Sequence, residues 1–157
     1  MRPSIEKLLS KTERGQALVE MALMVVVLVL LLSGVLDLGR AYYAYLALKD
    51  AAGEGAYFGS VYPSWADASD CLNPWNIEFR VRNAAPSGGL IDWNGPTTYV
   101  TTTVVSVSAT ELITVAVTTD YTLAAPFIGA IAGSQTLPLT AVSTARILAP
   151  PATTCPP

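Results

Sequence analysis

The side chains able to do chemistry in this sequence are few and poorly placed for catalysis. There is no histidine among the 157 residues. Ser, Asp and Glu are scattered, and neither a nucleophile elbow nor a glycine-rich phosphate loop is present. Asp67, Asp70 and Asn73 match no calcium-loop spacing. No cofactor, no metal and no enzymatic activity are expected. Attention falls instead on a short stretch near the N-terminus. Glu20 is the single ionisable side chain between Ala17 and Leu36. A carboxylate there costs about 2.5–3.5 kcal/mol at the centre of a bilayer and calls for a partner. Gly15 lies five residues before it, and Gln16 opens the apolar run. The two cysteines, Cys71 and Cys155, fit neither a zinc set nor a Cys-x-x-Cys redox pair.

The elements that position these residues follow from where the apolar residues fall. They make up 52% of the chain but concentrate in residues 17–36. Twenty helical residues rise about 30 Å, the thickness of the hydrocarbon layer, so this segment predicts one membrane span. Arg2, Lys7, Lys11 and Arg14 precede it, opposed by Glu6 and Glu13. Basic flanks stay in the cytoplasm, which places the N-terminus inside the cell and the rest outside the cytoplasmic membrane. A removable secretory signal fits poorly, because Ser33-Gly34-Val35-Leu36-Asp37 offers no convincing small-x-small site. From Asp37 onward five basic residues (Arg40, Lys49, Arg80, Arg82, Arg146) face nine acidic ones, which gives no field for nucleic acid. Both cysteines fall on the oxidising side, where a Cys71–Cys155 disulfide is the simplest reading; free thiols and pairing between chains are the alternatives.

Arg14-Gly-Gln-Ala-Leu-Val-Glu20, placed at the mouth of an apolar helix behind a basic leader, resembles a type IV prepilin cleavage site. The resemblance implies that a membrane aspartyl peptidase cuts after Gly15 on the cytoplasmic side, leaving Gln16 as the new N-terminus and Glu20 as the fifth residue. The chemistry is coherent. Glycine admits close approach to the backbone, and the freed α-amine, with a pKa of about 8, is cationic at neutral pH. Gln16 and Glu20 are one helical turn apart, so the carboxylate can neutralise its own amine or that of a neighbouring subunit.

Beyond the span, residues 37–59 keep strong helix formers without proline, predicting one helix from Gln16 to about Phe58. Leu38, Ala41, Tyr45, Leu48, Ala52 and Ala56 read as the stripe that seats a sheet, with Asp37, Arg40, Asp50 and Glu54 on other faces. Gly55 and Gly59 have the spacing of close helix approach, although outside a span helix fraying is the expected reading. Residues 60–75 read as loop. Asn73-Pro74 reads as a cap opening a short helix through Arg82 to Ala85, stopped by Pro86-Ser87-Gly88-Gly89. Thr98–Ser108, Glu111–Leu123 and Thr136–Leu148 are rich in Thr and Val and read as strands, with Ser108-Ala109-Thr110 closing a hairpin. Ile113, Val115, Val117, Tyr121 and Leu123, and likewise Leu137, Leu139, Ala141, Ala145 and Ile147, alternate onto one face. The apolar, glycine- and proline-broken segment 124–133 is expected to cover the core, with an exposed patch for a partner subunit or the membrane surface as the alternative. The proline-rich tail is expected to be held through Cys155. The fold class is therefore α+β: a long N-terminal helix packed on a small antiparallel sheet of three to four strands. The domain plan is leader 1–15, span 16–36, helix continuation 37–59 and extracytoplasmic body 60–157.

The run from Arg14 to Gly59, with Leu36-Asp37-Leu38-Gly39-Arg40-Ala41 and Ala51-Ala52-Gly53-Glu54-Gly55-Ala56, resembles the TadE-like family of minor pseudopilins in tight-adherence (Flp) pilus systems. That resemblance implies processing by a prepilin peptidase and a part in the biogenesis of a pilus, or of a type II/IV secretion-related assembly, used in adhesion, colonisation or export. It also implies other pseudopilins, the major pilin and the inner-membrane assembly platform as partners, and a place on the surface pilus after assembly. Met21 departs from the aromatic residue that many Flp-type sites carry after the glutamate. Two rival readings stay open: the major subunit of a filament, and a single-span envelope protein that never polymerises.

Overall fold

A computed structural model describes residues 3–84, 89–107, 110–125, 128–130, 133–148 and 154–155, with side chains from residue 15 onward except 106 and 107. The chain divides into two compact units, Met1–Leu38 and Gly39–Pro157. The first element, α1, runs from Pro3 to Val61. Its interior has no proline, and Pro63 ends it: the residue before a proline is pushed out of the helical region, so the last helical residue is Val61, three later than expected.

The second unit is built on the α1 residues from Gly39 onward, a second helix α2 (Ile77–Ala84), and strands β1 (Tyr99–Val107), β2 (Thr110–Thr122) and β3 (Thr136–Arg146). The strands form one antiparallel sheet in the order β1-β2-β3, so among the described residues the expected α+β fold has three strands. Val107 pairs with Thr110 at the hairpin end; Ser108 and Ala109 of the expected turn lie outside the described residues. Central β2 buries Ile113, Val115, Val117, Thr119 and Tyr121 on one face, as the alternation requires. On β3, Ala141 is buried while Leu137, second in the strand and opposite Tyr121, is 36% exposed. The outer face carries threonine ladders, with hydroxyl pairs Thr114–Thr144 and Thr118–Thr140 at 3.0 Å. β1 contains no charged residue and no proline, and among the described residues its outer edge has no strand partner.

The helix stripe differs from the predicted one. Ala44, Leu48, Ala51, Ala52 and Ala56 are buried, whereas Leu38 (72% exposed) and Tyr45 (37%) are not, and Asp37, expected on an open face, is buried. The true stripe advances by alternating steps of three and four from position 41, which a single choice of apolar residues obscures. Gly55 and Gly59 complete it. A Cβ on Gly59 would lie 2.6 Å from Ile113 Cδ1 and 3.0 Å from Ile77 Cδ1, and one on Gly55 would collide with Val81 and crowd Val115 and Ile77. The pair therefore lets α1 approach α2 and β2 closely, and the helix does not fray there.

Helix α2 begins at Ile77 rather than after Asn73, and its cap is Asn76. The Asn76 Oδ1 accepts from Phe79 N at 2.7 Å, while its Nδ2 donates to Cys71 O and Asn73 Oδ1, both at 2.8 Å. The next orphan donors are met from the preceding loop, Ile77 N to Trp65 O and Glu78 N to Ala66 O. Ala85 and the stop signal Pro86-Ser87-Gly88 lie outside the described residues. Asp67 makes a local turn: its Oδ1 accepts from Ser69 Oγ at 2.5 Å and Ser69 N at 2.7 Å, which holds its carboxyl below the usual carboxylate range. In the segment 124–133, Ala125 is buried and Ile128 packs against the core; Pro126, Phe127, Ile131 and Ala132 lie outside the described residues, as do tail residues 149–153, 156 and 157.

Arg82 fastens the 93–98 loop to α2. Its guanidinium pairs with Glu78 Oε1 at 2.7 Å, donates to Trp93 O, and reaches Thr98 O at 3.4 Å. Thr98 in turn donates its hydroxyl to Asp92 O at 2.7 Å and meets the Thr119 hydroxyl at 2.9 Å. Truncation by Arg82→Ala is expected to destabilise the protein by about 2–3 kcal/mol, because two backbone carbonyls lose a charged donor. Arg82→Lys is expected to recover little, since an ammonium lacks the guanidinium fork. Urea unfolding of the detergent-solubilised chain, followed by tryptophan fluorescence, measures both.

Candidate assembly site on the N-terminal helix

The residues singled out for processing and pairing, Gly15, Gln16 and Glu20, all lie within α1 and are exposed. Gln16 and Glu20 are four positions apart in a regular helix and so share a face. Among the described residues Glu20 takes part in no ion pair. Glycine inside a helix costs about 1 kcal/mol relative to alanine. A Cβ at Gly15 would meet nothing within 4 Å, so nothing in the fold itself asks for a glycine at that position.

Every large apolar side chain from Leu18 to Leu36 is exposed, including Leu18 at 68% and Leu36 at 68%. The most apolar 18-residue window has a mean hydropathy of 2.7 and is buried nowhere in the molecule. A helix that is apolar on all sides and uncovered among the described residues fits a non-aqueous surrounding. Its length and composition suggest a single-pass membrane anchor.

Cys71 and Cys155 are joined as a disulfide, with 5.8 Å between their Cα atoms. This bridge lies next to the α2 cap, since the Cys71 carbonyl receives the Asn76 amide. Hollows on the second unit measure about 540 Å³ along residues 68–75 with Cys155, and about 400 Å³ between Asp50, Glu54, Phe79, Arg80 and Asn83. Among the described residues no group of three or more His, Cys, Asp or Glu is arranged to hold a metal ion. Three features went unread in the sequence: the Asn76 cap, the Arg82 clamp, and the aromatic set Phe58, Tyr62 and Trp65. In that set Tyr62 and Trp65 stack at 4.2 Å and the Arg80 guanidinium lies 5.0 Å from the Phe58 centroid. The Asn-x-x-Asn spacing of residues 73 and 76 was the available signal for the first.

Residues 15–56 match the family model described as TadE-like protein. The matched stretch begins at Gly15, contains Glu20, and ends one residue past Gly55. No curated protein and no solved structure matches significantly.

Proposed function

We propose that the chain is a pilin-like, membrane-anchored subunit of a tight-adherence-type pilus, cut between Gly15 and Gln16 before it assembles. The observation that carries this reading is the coincidence of the TadE-like match with an uncovered apolar helix holding one carboxylate, Glu20, a turn from Gln16. Such a family match points to a pilus-associated structural component, a role distinct from catalysis. In the cleavage, a prepilin peptidase directs water onto the Gly15 carbonyl. The peptide bond to Gln16 breaks, Gly15 leaves with a carboxylate, and the Gln16 amine takes a proton. The cost of Glu20 in lipid is then offset by that ammonium, its own or a neighbour's, and a neighbour's sets the axial stagger between subunits. The partners in this reading are the prepilin peptidase, other pseudopilins, the major pilin and the inner-membrane platform. The N-terminus faces the cytoplasm and the body faces outward, with adhesion as the downstream use.

Two measurements test it, one on the unsubstituted protein and one on a variant. Intact mass of membrane-extracted protein is expected to show loss of residues 1–15 in cells that have the peptidase; retention of Met1 to Gly15 there sinks the cleavage. Glu20→Ala is expected to insert normally yet associate on the order of 100-fold more weakly, the equivalent of breaking a low-dielectric ion pair worth about 3 kcal/mol or more. Unchanged assembly would leave a simple tether.

A further inference from the structure

Just after the apolar helix the chain exposes a cluster of aromatic side chains that the fold does not use. Tyr42 is 61% exposed, Tyr43 54% and Tyr45 37%, with Leu46 at 39% beside them. Tyr42 and Leu46 lie on the side of α1 opposite Ala44, Leu48 and Ala51, which belong to the buried core, and Tyr43 and Tyr45 flank that side on either hand. Tyr45 was expected in the core and is displaced from it. Arg40, also exposed, has no ion pair among the described residues.

Position fixes what these groups meet. Tyr42 is six residues past Leu36, the end of the apolar run, which is about 9 Å along a helix. The polar zone of a bilayer is about 5–8 Å thick on each side of its hydrocarbon. If residues 17–36 fill the hydrocarbon, residues 40–43 follow within a few residues of its edge and so fall in or beside that zone. Tyrosine suits it, having an apolar ring with a hydroxyl tip. An arginine there extends its stem along the apolar surface and presents its charge to phosphate.

We propose that Arg40, Tyr42, Tyr43 and Tyr45 form an interfacial belt seated in the phospholipid headgroup layer on the body's side of the membrane. The belt fixes how deep the helix sits and keeps Glu20 toward the opposite side. This rests on the membrane-anchor reading above. Single reporters in the full-length chain separate the two. Leu31→Trp, Tyr43→Trp and Tyr57→Trp are each reconstituted in phosphatidylcholine vesicles with and without bromine on the upper acyl chain, and the unsubstituted protein's emission is subtracted. Tyr57, 70% exposed on the same helix about 21 Å beyond Tyr43, is the control for surface exposure alone. Bromine-dependent loss of emission at positions 31 and 43 but not 57 is expected. Loss at 31 alone overturns the belt while keeping the anchor, and assigns the tyrosines to a neighbouring subunit. Loss at none overturns both. Equal loss at 43 and 57 overturns the belt by laying the helix along the membrane surface.

Discussion

Alanine at Gly55 is expected to destabilise the protein by about 1–3 kcal/mol, whereas the same change two residues earlier, at Gly53, stabilises it by about 0.5–1 kcal/mol. Both replacements gain the same helix propensity and reduce the freedom of the unfolded chain equally. The difference lies in what the new methyl meets. At Gly53 there is nothing within 4 Å, while at Gly55 the methyl runs into Val81, with Val115 Cγ1 at 3.2 Å and Ile77 Cγ2 at 3.3 Å. Val81, Val115 and Ile77 are each 0% exposed, so none can swing into solvent, and overpacking of a filled core costs more than propensity returns. Gly59→Ala, facing Ile113 and Ile77, is expected to follow Gly55. Thermal unfolding of the three variants in one detergent decides the matter by sign: stabilisation at Gly55 would mean that α1 does not approach α2 and β2 as described.

The second large effect concerns the bridge between Cys71 and Cys155, which are separated by 84 positions. On the chain-entropy model, closing a loop of this length stabilises the folded state by at most about 4–5 kcal/mol, a third or more of the total for a typical domain. Cys155→Ser is therefore expected to lower the unfolding midpoint steeply, and reduction is expected to bring the unsubstituted protein down to the same midpoint while leaving the variant unmoved. A variant as stable as the oxidised parent would remove the bridge from the energetics of the body. The loss is also expected to spread to α2, because the Cys71 carbonyl is one of the groups that orients the capping Asn76.

The strands were legible because β2 alternates without interruption from Ile113 to Val117 and on to Tyr121 and Leu123, and period-two burial leaves that trace in sequence. The anchor was legible for the same kind of reason, since a run from Ala17 to Leu36 broken only by Glu20 has few other destinies. The α1 stripe was misread because nearly every residue from Ala41 to Ala56 is small or apolar. With so little contrast the periodicity has no phase, and the contacts with Ile77, Val81 and Ile113, distant in sequence, decide it. Gly55 and Gly59 failed for a related reason: a glycine that ends a helix and a glycine that lets a neighbour in are spelled alike. The Asn76 cap was overshadowed by the more conspicuous Asn73-Pro74. The Arg82 clamp joins residues up to sixteen apart, through backbone carbonyls that carry no side-chain signature. Of the proposed site, the sequence carries Gly15, Gln16 and Glu20 in full, since their meaning depends on spacing along one helix, whereas the tyrosines past the span become distinctive only once the fold leaves them uncovered.

The bare margin of β1 bears on how the protein behaves outside its native setting. From Tyr99 to Val107 the outward backbone donors and acceptors meet no strand among the described residues, and the strand holds neither a charge nor a proline, whereas β3 at the other side carries Pro138. Edges of this composition are where sheets from separate molecules join into aggregates. Detergent can shield the apolar helix but offers little to a strand edge, so aggregation of the purified protein through β1 is expected to persist in detergent and to fall when a lysine or a proline is placed on that strand.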